Sequence, residues 1–345
     1  MKKVVLTGIR KFDIVETDKP SLARPDDVLL KVLCVGVCGS DMHYFSEGKI
    51  GDQVVDFPFV IGHEFSARVE AVGMAVKSVK PGDVVAVDPL LSCGKCEQCL
   101  KGRENTCLNQ RFVGAPGQAE GCLVEYIVMP AENCFVVPKD MNGEDAALIE
   151  PLSIGYYASE FLKNVEKRSS IAILGVGPIG LSVLMSMRVK GFESIYCSDK
   201  LDYRLAVAKQ CGAVWTGNPD REEVLKSMTG AVPQMFDVVF ECCGEQEALD
   251  QAVDLLKPGG TLLIVGIPDA MRISFDVTKI RRKEISIQNV RRQNRAIIPC
   301  VELTSTKKWS PRFMITHRFP YTEVHKAFDM VANYKDGVIK ALVGF

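Results

Sequence analysis

From residue 1 to about 150 the apolar positions fall in short β-branched runs, VVLTGI, DVLLKVLCVGV, FSARVEAVG, DVVAVDP and LVEYIVMP, broken by Gly, Pro and Asp. Runs of that length between turn residues predict an antiparallel, barrel-like β domain. Near residue 153 the texture changes to SSIAILGVGPIGLSVLMSMRVKG, a buried strand, a glycine turn and an apolar helix. A strand in SIYCSD, a helix in YRLAVAKQCG, a strand in FDVVFECCG, a helix in EALDQAVDLLKPGG and a strand in TLLIVGI follow. Strands alternating with helices of this length predict a doubly wound parallel sheet. After about residue 286 the alternation stops, and the chain closes with a helix opened by Thr322 and a short strand, KALVGF. The expected division is therefore 1–152, 153–286 and 287–345.

A length of 345 residues agrees with two domains rather than one core. With 42 basic against 43 acidic residues, no global field favours a polyanion. The basic run IRRKEISIQNVRRQNRA is interleaved with strand-like apolar residues, so nucleic acid is not expected as a partner. No apolar h-region follows the N-terminal lysines and no stretch is long enough to span a bilayer, so a cytoplasmic protein with no membrane partner is expected.

Gly175, Gly177 and Gly180 form G-x-G-x-x-G between the strand IAIL and a helix. The first glycine permits the tight turn, the second lets the backbone approach a pyrophosphate and the third lets helix pack on strand. Asp199, 19 residues past Gly180 at the end of the next strand, supplies the acid that accepts hydrogen bonds from a ribose and repels a 2′-phosphate. NAD is expected over NADP, tempered slightly by the adjacent Lys200. Pro178 and Ile179 within the turn, with Val265, Gly266 and Ile267 at the end of a later strand, complete the expected cofactor-binding positions.

Four of the thirteen cysteines, Cys93, Cys96, Cys99 and Cys107, follow C-x2-C-x2-C-x7-C in a lobe at 92–108. Four thiolates so close can shut a tetrahedral shell around zinc, and a closed shell is structural. Cys38, His63 and Glu64 differ in kind, since three protein ligands leave a fourth position open for water or substrate. Taken alone they could equally be ordinary polar residues of a loop and a strand end. Cys34, Cys122, Cys134, Cys197, Cys211, Cys242, Cys243 and Cys300 mostly lie in apolar runs and read as small core residues.

The order of CGSD, GHEFS, the four-cysteine lobe, IEPLSIG and GVGPIG resembles the zinc-containing medium-chain dehydrogenases over essentially the whole chain, and most of all their sorbitol (L-iditol) dehydrogenase branch. The resemblance implies an α/β plus β fold, a GroES-like β-barrel catalytic domain with an inserted Rossmann sheet. It implies NAD and two zinc ions, one catalytic on Cys38, His63 and Glu64 and one structural. Glu150 in IEPLSIG stands where alcohol dehydrogenases usually have a cysteine ligand, so either Glu64 or Glu150 is the carboxylate on the metal. Ser40 and His43 match proton-relay positions, Tyr44 a substrate-pocket position, and Asp199 with Arg204 the pair that holds the adenosine ribose. The implied reaction oxidises a secondary hydroxyl of a polyol to a ketose, in a dimer or tetramer.

Two departures stand out. GHEFSG appears as GHEFSA, with Ala67 for glycine, and the branch's Arg-Tyr pair corresponds to Arg291 and Arg292. The second leaves a sugar phosphate or sugar acid as a rival substrate, alongside threonine or a simple alcohol. A nonenzymatic zinc- or NAD-binding protein that kept the fold is the rival of another class.

Overall fold

The computed structural model describes residues 1–268, 270–306 and 309–345. The chain divides into two compact units, Met1–Glu150 with Ile297–Phe345, and Pro151–Ala296.

The first unit is built on a seven-stranded sheet whose order is Cys134–Val136, Val84–Val87, Glu64–Val72, Asp27–Gly36, Lys340–Gly344 and Ile315–Pro320, with Tyr126–Pro130 also paired to Asp27–Gly36. Its β-branched runs form strands because alternate side chains reach a shared core of Val4, Leu30, Phe45, Ile61, Phe65 and Phe328. Two pairings matter for chemistry. Gly36 lies opposite Glu64 across an antiparallel pair, and Leu342 lies opposite Gly36 on the other side. Residues far apart in the chain thus meet at one end of the sheet.

The second unit is a six-stranded, wholly parallel sheet. Its strands in chain order are Ile171–Leu174, Ile195–Ser198, Trp215–Gly217, Phe236–Glu241, Leu256–Ile264 and Ser286–Asn289, and they lie in the sheet as 3-2-1-4-5-6. The order reverses between Ile171–Leu174 and Phe236–Glu241, the switch point at whose carboxyl ends ligands bind in such sheets.

Three features differ from the sequence expectation. The parallel unit runs on to Ala296 rather than 286, because Ser286–Asn289 pairs with Thr261–Ile264 as the sixth strand. A helix, Ile297–Ser305, follows where none was expected; Pro299 is tolerated in its first turn, where the missing N–H has no intrahelical partner to lose. Thr322 does not cap the last helix, since Tyr321–Glu323 forms a 3-10 turn and the α-helix is Val324–Ala332. Among the described residues no helix is long and apolar enough to cross a membrane.

Candidate metal centre and nucleotide turn

Cys38 precedes the helix Gly39–Glu47 and Glu64 opens the strand Glu64–Val72, so strand pairing brings the two together. One ligand atom from each of Cys38, His63 and Glu64 lies within 4.8 Å of the others. Glu150 falls outside that tight set, though it too is buried.

Asp41, which the sequence reading quoted but gave no role, organises the set. Its Oδ1 lies 3.3 Å from His63 Nδ1 and accepts the Gly62 N–H at 3.3 Å, while Oδ2 accepts the Cys38 N–H at 3.2 Å. An imidazole held at Nδ1 by a carboxylate presents its other nitrogen as a ligand. Burial disfavours charge on His63, yet Asp41 and Cys38 outweigh it and hold its pKa well above the usual histidine value.

Lys340, from the far end of the chain, was not anticipated at all. Its Nζ donates to Glu64 Oε1 at 2.9 Å, to Oε2 at 2.7 Å and to Val37 O at 3.1 Å, with both side chains 1 % exposed. Burial lowers the lysine pKa, but Glu64 and Cys38 raise it further, so the ammonium persists. Either charge alone at that depth would carry a desolvation cost of several kcal/mol. Burial also pushes Glu150 up to about 8, with His63 pulling it down and Glu64 and Asp88 pushing it further up.

The other expected residues of this unit lie on the helix Gly39–Glu47. Ser40 Oγ donates to Cys38 Sγ at 3.3 Å, His43 Nδ1 is 3.8 Å from Glu47 Oε1, and the buried Tyr44 donates its hydroxyl to Gln53 Oε1 at 3.2 Å. Tyr44 thus packs into the core with its polar end satisfied.

Cys93, Cys96, Cys99 and Cys107 gather within 4.8 Å of one another and form no disulfide. Cys96 Sγ is 3.5 Å from Cys99 Sγ and 3.8 Å from Cys107 Sγ. A tetrahedron with metal–sulfur bonds of about 2.3 Å has edges near 3.8 Å, so the spacing fits zinc. Backbone N–H groups aim at the sulfurs, from Leu108 to Cys96 and from Cys93 and Asn109 to Cys107. Such donors, the Lys95 N–H foremost, hold Cys93 down at about 6, whereas burial pushes Cys99 up to about 12. Left-handed Gly94 and Gly102 let the loop fold back on itself.

In the second unit Gly175 takes φ +87°, and its N–H donates to Ser198 O at 2.8 Å. A Cβ on Gly180 would lie 1.9 Å from Gly175 O, so only glycine permits that helix–turn approach. Gly177 caps the helix Pro178–Val189, with Pro178 first and Ile179 second in it. Asp199 Oδ2 accepts the Val176 N–H at 2.8 Å and Oδ1 the Leu201 N–H at 2.9 Å, while Arg204 Nη1 lies 3.8 Å from Oδ2. Asp199 thereby braces the turn itself. Val265 and Gly266 donate their N–H groups to Glu241 O, and Ile267 beyond them is exposed. Arg291 is exposed, and Arg292 is half-buried with φ +51°, an uncommon backbone for a non-glycine residue. Cys243, read from the sequence among the core cysteines, is exposed because the strand ends at Glu241.

Residues 24–139 match the family described as alcohol dehydrogenase GroES-like domain, and residues 178–305 that described as zinc-binding dehydrogenase. The sorbitol dehydrogenase of Bacillus subtilis is 34% identical over 99% of this chain and 97% of its own. The chain belongs to the zinc-binding alcohol dehydrogenase family, in its sorbitol dehydrogenase-like branch. This zinc-binding dehydrogenase is an oxidoreductase, and its fold is that of its solved relatives. Galactitol-1-phosphate dehydrogenase from Escherichia coli superposes with TM-score 0.91 at 28% identity, covering 100% of both chains. A zinc-binding dehydrogenase from Sinorhizobium meliloti 1021 bound to NADP gives 0.90 at 30%, and an alcohol dehydrogenase from E. coli CFT073 with NADH gives 0.91 at 28%; each covers 100% of this chain and 99% of the relative.

Proposed function

We propose that this zinc-binding dehydrogenase oxidises a secondary hydroxyl of a neutral polyol of the sorbitol or xylitol kind to a ketose, with NAD as acceptor. The observation that carries the reading is the open set Cys38, His63 and Glu64 beside a closed four-cysteine cluster. Cys38, His63 and Glu64 would hold the catalytic zinc, and Cys93, Cys96, Cys99 and Cys107 the structural one. Bound zinc would supply Lewis acidity toward a substrate hydroxyl, and bound NAD the oxidising power.

The chain's own residues do the rest. Asp41 fixes the ring of His63, and Lys340 holds Glu64 in place from behind. Glu150, a buried carboxyl raised to about 8, is mostly protonated at neutral pH and accepts a proton from a hydroxyl only in its ionised form, which grows as pH rises through 8. Ser40 and His43, one turn apart on their helix, form the alternative route by which the hydroxyl proton leaves to solvent. Assembly as a dimer or tetramer belongs to the same reading.

The choice of NAD rests on Asp199. A charge-assisted hydrogen bond contributes about 1.5–3 kcal/mol, so Asp199→Ala is expected to weaken NAD use by about 10- to 100-fold at 1.4 kcal/mol per tenfold and to relax exclusion of NADP. Steady-state kinetics of wild type and variant with both cofactors check this, and a wild type that prefers NADP would overturn it. Asp199→Asn keeps an acceptor for only one of the Val176 and Leu201 N–H groups and is expected to lose both charge and part of the turn bracing.

A second reading has specific support. Arg292 puts a permanent cation where the branch has a phenol, and a solved relative is a sugar-phosphate dehydrogenase. A guanidinium recruits phosphate or carboxylate by paired hydrogen bonds. The neutral polyol is preferred because a single cation at such a position is by itself a weak functional signal. The comparison of kcat/KM for sorbitol and xylitol with matched phosphates and aldonates, in wild type and Arg292→Tyr, decides between them. Neutral substrates are expected to win in both proteins. An anionic advantage above about tenfold in wild type, lost in Arg292→Tyr, would make Arg292 a specificity residue.

A further inference from the structure

Glu241 is the last residue of the fourth strand of the parallel sheet, at the switch point, and is fully buried. It lies opposite Leu174 on one side and Ile264 on the other, between the two strands that lead into the glycine turn and into Val265–Ile267. Its Oε1 accepts the N–H groups of Cys243 at 2.7 Å and Gly244 at 2.6 Å. Its backbone oxygen accepts those of Val265 at 2.8 Å and Gly266 at 3.0 Å. Its Oε2 has no hydrogen-bond partner among the described residues.

Three loops converge around this strand end. A Cβ on Gly266 would lie 2.8 Å from Glu241 Oε2 and 2.5 Å from Gly244 N, and a Cβ on Gly244 would lie 2.4 Å from Ile267 O. A Cβ on Gly175, the first glycine of the nucleotide turn, would meet Cys243 Cβ at 3.0 Å and Cys243 N at 3.1 Å. Nothing in a hydrophobic sheet calls for a carboxylate here, where it costs desolvation and one oxygen finds no donor. The residue holds two loops that both abut surfaces expected to carry the dinucleotide, loop 242–244 by its carboxylate and loop 265–267 by its backbone oxygen.

We propose that Glu241 is a positioning residue for the dinucleotide, its carboxylate holding loop 242–244 beneath the glycine turn while its backbone oxygen holds loop 265–267, so that the cofactor's backbone contacts are set before it binds. The proposal rests on the reading that this unit binds NAD. It requires that, in the cofactor-free wild type, the amides of Cys243 and Gly244 exchange hydrogen as slowly as neighbouring strand amides; exchange at the rate of open loops would overturn it without any variant. Glu241→Gln keeps the shape but places a buried NH2 where Oε2 sits. Titration of the full chain with NADH, followed by fluorescence, is expected to give about a tenfold weaker Kd, with KM for NAD raised similarly, kcat little changed and both zinc ions retained. Amides 243 and 244 are expected to exchange faster in the variant and to regain protection when NADH is added. A variant that binds NADH as the wild type does overturns the proposal alone, whereas a wild type that fails to bind NADH removes the reading beneath it. Glu241→Asp, too short to reach both N–H groups, is expected to weaken NADH binding at least as much as Glu241→Gln.

Discussion

Cys38→Ser is expected to lose at least about 1000-fold in kcat while remaining folded and holding one zinc per chain instead of two. A metal acting as a Lewis acid contributes several kcal/mol to its reaction, and about 4 kcal/mol corresponds to three powers of ten. The thiol is half-buried at a helix start, and the surrounding fold does not depend on it: Asp41 still bonds the Gly62 N–H and still faces His63, and the Lys340–Glu64 pair remains. Metal analysis beside steady-state kinetics reads both outcomes. Equal loss of both zinc ions and of the fold would separate Cys38 from the catalytic role.

Cys96→Ser is expected to behave in the opposite way, with one zinc lost and Tm lowered by at least about 10 °C. Structural zinc sites hold their metal with about 10–16 kcal/mol in small peptides; each kcal/mol lost shifts a protein of this size by about 1–2 °C, so losing most of it produces the expected drop in Tm. The lobe has few other means of cohesion. Its only regular elements are the four-residue helix Glu97–Leu100 and a short 3-10 turn, and Leu100 and Leu108 face solvent. Four sulfurs are what the loop folds around. Differential scanning with parallel zinc analysis tests this, and an unchanged Tm in a protein still holding two zinc ions would contradict it.

The fold was legible because each unit writes its own period: β-branched runs with frequent turn residues in the barrel, strands alternating with helices in the parallel sheet. The end of the inserted unit was harder. SIQN is a polar edge strand, exposed along most of its length, and carries little of the apolar signal that marks its neighbours. The four-cysteine lobe is local, so spacing alone brought it to notice. Cys38 and His63 lie 25 positions apart, and only the pairing of Gly36 with Glu64 turns that separation into proximity. Lys340 was beyond reach, since a lysine in a terminal strand gives no hint that it will be buried against a glutamate 276 positions earlier. Asp41 was in plain view within CGSD, and an acid three residues after a candidate ligand is the signal that could have found it. Glu241 showed only as an acid ending an apolar strand.

The most direct test of the account is NADH formation by the zinc-loaded protein, followed by absorbance, across polyols, sugar phosphates and aldonic acids. The account predicts NADH from at least one neutral polyol with a secondary hydroxyl, at a rate that collapses in Cys38→Ser. Absence of turnover on every polyol, in a protein shown to hold two zinc ions and to bind NAD, would contradict it.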